Sequence, residues 1–177
     1  MNLTSHVYFN LKGHNRGDIL AHRIRIDADH YQPTDSMGIP RGGPERVDGT
    51  PFDLRKMTEI GGRVNSEHGQ MIQKNGFDVH YYLEKTDGLR KICEVEEPQY
   101  GRRMEVRTTK PGVLFYTANN INDNITFTGK GGYVYRRYCG LCLETQYPPD
   151  SPNGPGRDLV ILRPDGEYSH ETVFSFR

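Results

Sequence analysis

The chain has 177 residues, with 23 basic Lys and Arg side chains and 23 acidic Asp and Glu side chains, so its formal net charge is zero. This neutral balance argues against a protein that binds nucleic acid or a membrane surface through a net basic field. No segment approaches the roughly 18 consecutive apolar residues of a membrane span. We therefore expect one globular domain, or part of a larger one.

Cysteine content and the first residues bear on the cellular compartment. The chain has three cysteines, Cys93, Cys139 and Cys142, which are too few for a disulfide framework. Residues 1–6 lack the basic and apolar regions of a secretory signal. We expect a reducing, cytoplasmic compartment. The glycosylation sequons at residues 2–4 and 124–126 are then expected to be unused.

Short alternating runs, separated by Gly, Pro, Asn and Asp, recur along the whole chain and are typical of all-β proteins. One helical turn is predicted over residues 53–60, with Asp53 as its N-cap. No linker divides the chain, so the pattern indicates a single β-sandwich or barrel. The predicted strands are residues 4–11, 20–28, 78–84, 103–108, 113–118, 140–146, 159–162 and 172–176.

The first predicted strand carries a candidate functional histidine. By the period of two, His6 shares one face with Thr4, Tyr8 and Asn10. Such a face suits either the wall of a polar cleft or a hydrogen-bonded structural histidine, and the pattern leaves both open. The other histidines without ligand spacing are expected on the surface or in loops: His14, His22, His30, His68 and His170.

The strand predicted over residues 78–84 begins with an acidic residue. Asp78 follows a turn signal, which favours a role at the start of the strand. It shares a face with His80, and a His/Asp pair at this spacing can bind a metal or orient a hydroxyl. Further along, residues 129–132 lack the spacing of a phosphate-binding loop and are predicted to form a hairpin turn.

The strand predicted over residues 140–146 places a carboxylate between leucines. Glu144 shares a face with Cys142 and Gln146. A partly buried Glu is a candidate general base because burial raises its pKa toward neutrality. A surface Glu on an exposed sheet face is the alternative. No second Cys pair completes a zinc site with Cys139 and Cys142, so we expect no metal.

Several segments together resemble the aldose 1-epimerase family. They occur in the family's order from residue 2 towards the C-terminus, and they are long enough to be jointly specific. The segments are NLTSHVYFNL (2–11), ADHYQPTD (28–35) with IPRG (39–42), GTPFDLR (49–55), GFD (76–78), GRRMEV (101–106), PGVLFYTAN (111–119), LETQ (143–146) and PDSPN (149–153).

The resemblance implies a fold, an activity and roles for three residues. The fold is an antiparallel β-sandwich of the supersandwich type, and the activity is cofactor-free interconversion of the α- and β-anomers of hexoses such as galactose and glucose. His6 would be the general acid at the ring oxygen, and Glu144 the general base at the C1 hydroxyl. Asp78 would hydrogen-bond the hydroxyls of the sugar.

The chain also departs from the family pattern. The resemblance begins at residue 2, so we expect a sandwich truncated on its N-terminal side, with residues 1–177 forming the C-terminal part of one domain. The preceding half, in cis or in trans, would supply an arginine and a histidine. Leu114 replaces a glutamine, and Val79-His80 replaces His-Asn. The alternatives are therefore a non-catalytic carbohydrate-binding or regulatory relative, or an inactive fragment.

Overall fold

A computed structural model describes residues 1–121 and 128–177. The sequon at residues 124–126 lies outside them. The described helices are α1 (Gly61–Val64), α2 (Gly69–Lys74) and α3 (Arg157–Val160). In the described part, no helix combines the length and apolar character that crossing a membrane requires. The described strands are β1 (Arg23–Ile26), β2 (His30–Tyr31), β3 (Glu45–Arg46), β4 (Thr58–Glu59), β5 (Asp78–Tyr82), β6 (Arg90–Glu97), β7 (Arg102–Thr108), β8 (Gly112–Tyr116), β9 (Cys142–Gln146) and β10 (Thr172–Phe176).

The strands form two five-stranded antiparallel sheets. The first sheet has the order β10-β7-β6-β1-β4, and the second has the order β3-β2-β5-β8-β9. Alternate side chains of both sheets enter one continuous hydrophobic core, with Ile24 and Val106 from the first sheet and Val79, Phe115 and Leu143 from the second. The two sheets thus pack face to face, which confirms the predicted antiparallel β-sandwich.

Strand β6 is missing from the predicted strands because it contains a β-bulge. The pairing of β6 with β7 shifts register between Lys91 and Cys93. Ile92 and Cys93 are both buried although they are adjacent, and Val95 continues the buried face. One extra residue at a bulge breaks the strict alternation, so a search for period two passes over this strand.

The strand predicted over residues 4–11 is wrong. Only Phe9 forms a β-bridge, and its partner is Leu141. Towards the N-terminus the side chain of Asn2 bonds both the N–H and the C=O of Tyr147. The amide side chain thereby satisfies the backbone groups that a continuous ladder would have paired.

The strand predicted over residues 159–162 is also wrong, because helix α3 occupies Arg157–Val160. The N–H groups of Arg157 and Leu159 bond the carbonyls of Gly154 and Gly156, respectively. Val160 is buried, while Leu159 is exposed. A short apolar run of this length does not distinguish one helical turn from a strand by periodicity alone.

The helical turn predicted over residues 53–60 is absent, and the residues after it form α1. The Asp53 carboxylate accepts hydrogen bonds from the backbone and guanidinium of Arg55 instead of capping a helix. Asp29 and Asp48 also bind this guanidinium, at 2.8 and 2.7 Å. Three carboxylates around Arg55 hold this segment in a turn, and it then enters β4.

Two of the histidines expected on the surface or in loops, His22 and His68, do lie in loops, but each is at least partly buried and has a structural role. His22 is fully buried, and its Nε2 accepts a hydrogen bond from the Leu11 N–H. Burial lowers the pKa of His22 to about 4. His68 is partly buried and caps α2, since its Nδ1 accepts from the Gln70 N–H. Neither role leaves a signature in residue spacing.

Candidate functional site

The candidate site lies on the face of the second sheet that points away from the shared core. In the register of this sheet, Asp78 pairs with Tyr116, and Tyr116 pairs with Cys142. In the next row, Leu114 lies between its partners His80 and Glu144. Because alternate residues of a strand point to one face, the side chains of both rows share this surface. We call it the site face.

The N-terminal segment brings His6 to the site face. Paired backbone bonds between Phe9 and Leu141 measure 2.8 and 2.9 Å and fix the register of this segment beside β9. Counting three residues back from Phe9 and three forward from Leu141 leads to His6 and Glu144. The side-chain amide of Asn10 bonds the Cys139 carbonyl at 3.1 Å and secures the same end of the segment.

His6 and Glu144, predicted to act together, are in contact. The His6 Nε2 atom lies 3.4 Å from the Glu144 Oε1 atom. The other ring nitrogen of His6, Nδ1, lies 3.4 Å from the Cys142 Sγ atom. The His6 side chain is 50% exposed, whereas the Glu144 side chain is only 11% exposed. The imidazole is thus open to a ligand, and the carboxylate is recessed behind it.

Burial is the main influence on the Glu144 carboxyl. It raises the pKa of this group, the positive charge of a protonated His6 lowers it, and the negative charge of Asp78 raises it. Together these influences leave the pKa of Glu144 above that of an ordinary glutamic acid. A carboxylate of raised pKa is a stronger proton acceptor, which is the property that a general base requires.

Asp78 lies on the opposite side of the site face from Glu144. One strand, β8, separates β5 from β9, so the backbones of these two strands are about 10 Å apart, at about 4.8 Å per strand. The Lys74 ammonium, at the end of α2, lies 3.6 Å from the Asp78 carboxylate. Asp78 remains 29% exposed in its side chain and can accept further hydrogen bonds.

Two aromatic side chains border His6. The rings of Tyr8 and Tyr116 have their centroids 5.0 and 6.1 Å from the imidazole. Burial raises the pKa of Tyr8 to about 12, so its hydroxyl remains protonated at neutral pH. The two rings limit the directions in which the imidazole can turn.

Two of the residues that depart from the family pattern, Leu114 and His80, meet on the site face. Leu114 and His80 are direct cross-strand partners, and the Leu114 side chain offers no hydrogen bond. His80 is buried and lines a cavity of about 40 Å³ together with Asp78 and Leu114. Val79 points into the core instead.

Sequence reasoning missed three contributors to this site. Cys142 shares the face of Glu144 by alternation, but its spacing from Cys139 indicates only a candidate zinc ligand. Tyr116 shares the face of Leu114 by alternation, so the pattern contained a signal for it. Lys74 comes from a helix that the sequence did not predict, and no motif indicated it.

Three comparisons with known proteins agree with this architecture. The family model described as aldose 1-epimerase matches residues 1–175. Galactose mutarotase from Homo sapiens is 44% identical over 176 residues, which are 99% of this chain and 49% of that protein. Aldose 1-epimerase from Escherichia coli strain K12 is 36% identical over 179 residues, which cover 99% of this chain and 50% of that protein.

A solved structure shows the same relationship. The crystal structure of galactose 1-epimerase from Lactobacillus acidophilus NCFM matches with a TM-score of 0.79 at 28% identity, covering 99% of this chain and 48% of that one. The chain therefore spans about half the length of the curated relatives it matches.

Proposed function

Because the chain belongs to the aldose 1-epimerase family, we propose that it contributes the acid and the base that interconvert the α- and β-anomers of a hexose such as galactose or glucose. Residues 1–177 are then the C-terminal part of a single epimerase domain. The observation that carries the proposal is the contact between His6 Nε2 and Glu144 Oε1 at 3.4 Å, with the His6 side chain 50% exposed. His6 and Glu144 are the proposed catalytic residues.

The closeness of these two groups suits the reaction. In a cyclic hexose the ring oxygen and the C1 hydroxyl oxygen are bonded to the same carbon, so an acid and a base that serve them must lie side by side. Glu144 takes the proton of the C1 hydroxyl while His6 delivers a proton to the ring oxygen. The bond from C1 to the ring oxygen breaks, and the open-chain aldehyde forms.

Reclosure completes the cycle without a cofactor. Rotation about the bond between C1 and C2 turns the other face of the aldehyde towards the C5 hydroxyl. That hydroxyl attacks C1 and returns its proton to His6, while Glu144 returns a proton to the carbonyl oxygen. Each group ends in its starting state, so one histidine and one carboxylate suffice for the proton transfers.

Asp78 is proposed to hold the sugar across the site face. A carboxylate on β5, two strand spacings from the strand of Glu144, can accept hydrogen bonds from hydroxyls on the side of the ring remote from C1. The family's other half is proposed to add an arginine and a histidine to the same cleft, in cis or in trans.

The free thiols at Cys93, Cys139 and Cys142 support a reducing, cytoplasmic compartment.

Polarimetry tests the proposal directly. Conversion of α-galactose to the anomeric equilibrium is followed with the chain alone and with an added N-terminal half taken from a family relative. Glu144→Gln and His6→Gln should each slow the catalysed reaction by about 10²–10⁴-fold, the usual contribution of a positioned acid or base. His14→Gln, at an exposed histidine, is the matched control and should retain the rate.

A folded chain that gives no acceleration in either arrangement would overturn the proposal. A catalysed rate that survives both substitutions would equally exclude His6 and Glu144 as the acid and base.

A second candidate is a carbohydrate-binding relative without catalysis. Leu114, in the centre of the site face, replaces a hydrogen-bonding side chain with an apolar one and favours this alternative. Titration calorimetry with galactose distinguishes the two, because binding without acceleration of mutarotation supports the second. An inactive fragment would show neither binding nor a cooperative thermal transition.

A further inference from the structure

Strand β9 places two side chains against the same imidazole. Cys142 and Glu144 are two residues apart and therefore point to the same face. His6 Nδ1 lies 3.4 Å from the Cys142 sulfur, and His6 Nε2 lies 3.4 Å from the Glu144 carboxylate. Each ring nitrogen of His6 thus faces one side chain of β9. In the neutral ring, a proton on one nitrogen therefore excludes a proton on the other.

We propose that Cys142 is a positioning residue that holds the neutral His6 ring in the tautomer with its proton on Nε2. The thiol is fully buried, and an S–H group pointing at Nδ1 would donate to the lone pair of that nitrogen. The ring proton is then on Nε2, where it faces Glu144. The catalytic consequence, an Nε2 atom held in one orientation beside Glu144 at the proposed sugar site, rests on the function proposed above.

The surroundings of the thiol favour the donor role. Burial raises the pKa of Cys142, and the negative charge of Glu144 raises it further, so the thiol keeps its proton at neutral pH. The alternative arrangement, Nδ1–H donating to sulfur, would turn the lone pair of Nε2 towards the Glu144 oxygen. Two acceptors at 3.4 Å repel each other unless the carboxyl is protonated.

The neighbouring rings make the orientation of His6 depend on few contacts. Tyr8 and Tyr116 border the imidazole by ring contacts. The hydrogen-bonding partners that the described structure places at the two ring nitrogens are the thiol and the carboxylate. Removing the thiol leaves the Glu144 carboxylate as the one remaining partner of these two, so the preference for a proton on Nε2 should weaken while the ring stays packed in place.

Nitrogen-15 NMR of the complete 177-residue chain tests the tautomer without requiring catalysis. Long-range correlations of the imidazole nitrogens are recorded above the usual histidine pKa of about 6.5, and the His6 signals are assigned by their loss in His6→Gln. In the wild-type chain we expect Nε2 at the shift of a protonated nitrogen and Nδ1 at that of an unprotonated one.

Substitutions at Cys142 then identify the cause. Cys142→Val, which removes the donor, should move both His6 nitrogen shifts towards each other, as a mixture of tautomers does. Cys142→Ser, which keeps a donor, should retain the wild-type shifts. Cys139→Val is the matched control, because Cys139 belongs to the same small cluster of buried residues.

Two results would overturn the proposal. One is a proton on Nδ1 of His6 in the wild-type chain, which is readable even if no Cys142 variant folds. The other is a set of shifts that Cys142→Val leaves unchanged in a chain with a normal thermal transition. Absence of mutarotase activity affects neither reading, so failure of the proposed function is distinguishable from failure of this inference.

Where activity is present, it provides a second measurement. Cys142→Val should lower kcat by about tenfold with little change in KM, a small part of the ~10²–10⁴-fold that acid–base catalysis contributes. Cys142→Ser should restore most of the loss. A change in KM alone would instead indicate a purely structural role.

Discussion

His80 has an imidazole whose two nitrogens are both buried without a hydrogen-bond partner among the described residues. Burial lowers its pKa to about 3, so the ring is neutral in the folded chain at physiological pH. The groups that line its cavity include Asp78 and Lys74, which neutralise each other at 3.6 Å. The cost of charging His80 therefore comes from its burial.

This burial predicts a stability that falls on mild acidification. In the unfolded chain His80 takes up a proton below pH 6.5, whereas in the folded chain it does so only near pH 3. The unfolded state therefore binds more protons between these values, and the free energy of unfolding decreases as the pH falls. From pH 7 to pH 5 the expected loss is about 2 kcal/mol, at 1.36 kcal/mol per unit.

Urea denaturation at pH 7 and pH 5 measures this loss. His22, whose pKa is lowered to about 4, adds to it in the same direction. His80→Gln cannot take up the proton and should reduce the pH dependence, while His14→Gln, at an exposed position, should not. An unchanged pH dependence in His80→Gln would contradict the assignment to His80.

At the scale of the element, β8 determines the shape of the site face because it is the middle strand between β5 and β9. Its first residue, Gly112, leaves the space that the His80 ring occupies. A Cβ atom at Gly112 would lie 2.4 Å from two atoms of that ring and 2.8 Å from the Tyr81 carbonyl oxygen. A glycine in a strand usually marks such a close approach.

Gly112→Ala should consequently destabilise the fold by about 1–3 kcal/mol, the usual cost of overpacking. The His80 ring must move, because the Tyr81 backbone cannot. Gly43→Ala is the control, since a Cβ there meets nothing within 4 Å. Thermal and urea unfolding measure the free energy of unfolding of both variants. Equal values would show that the His80 ring moves aside without loss of stability.

Alternation in the sequence predicted some of the strands and missed others. Strands β1, β5 and β7 were predictable because polar and apolar residues alternate along each of them with a period of two. Strand β6 was not, because its bulge places Ile92 and Cys93 both in the interior. The segment around His6 alternates as a strand does, yet its side chains take hydrogen bonds that a ladder would have used.

At the scale of the whole molecule, a wide apolar groove lies between the N-terminal segment and the last strand. It has a volume of about 770 Å³ and is lined by Val7, Tyr8, Phe9 and Phe176, among others. Val7 and Phe176 are 48% and 58% exposed. Contiguous exposed apolar surface of this kind binds hydrophobic partners.

The groove predicts strong binding of a hydrophobic fluorescent dye by the folded chain. Phe176→Ser should weaken that binding several-fold, because it removes a large exposed ring beside Phe9. Leu159→Ser, at a side chain that is 64% exposed but outside the groove, should leave it unchanged. Equal dye fluorescence in the two variants would show that the groove is not the binding surface.

The sequence by itself determined which faces of the main strands are buried and which family the chain resembles. Both depend on local order, since a period of two and a motif are read from neighbouring residues. It also indicated His6 and Glu144 as candidate functional residues, but on two separate segments of the chain.

Only the tertiary structure decided that these candidates meet. His6 and Cys142 are 136 residues apart in the chain, and the bridge between Phe9 and Leu141 brings them together. Local sequence patterns do not show which distant strands become neighbours, because strand pairing depends on how the two sheets bury a common core. The contact of His6 with Cys142, the burial of His80 and the bulge in β6 all follow from that packing.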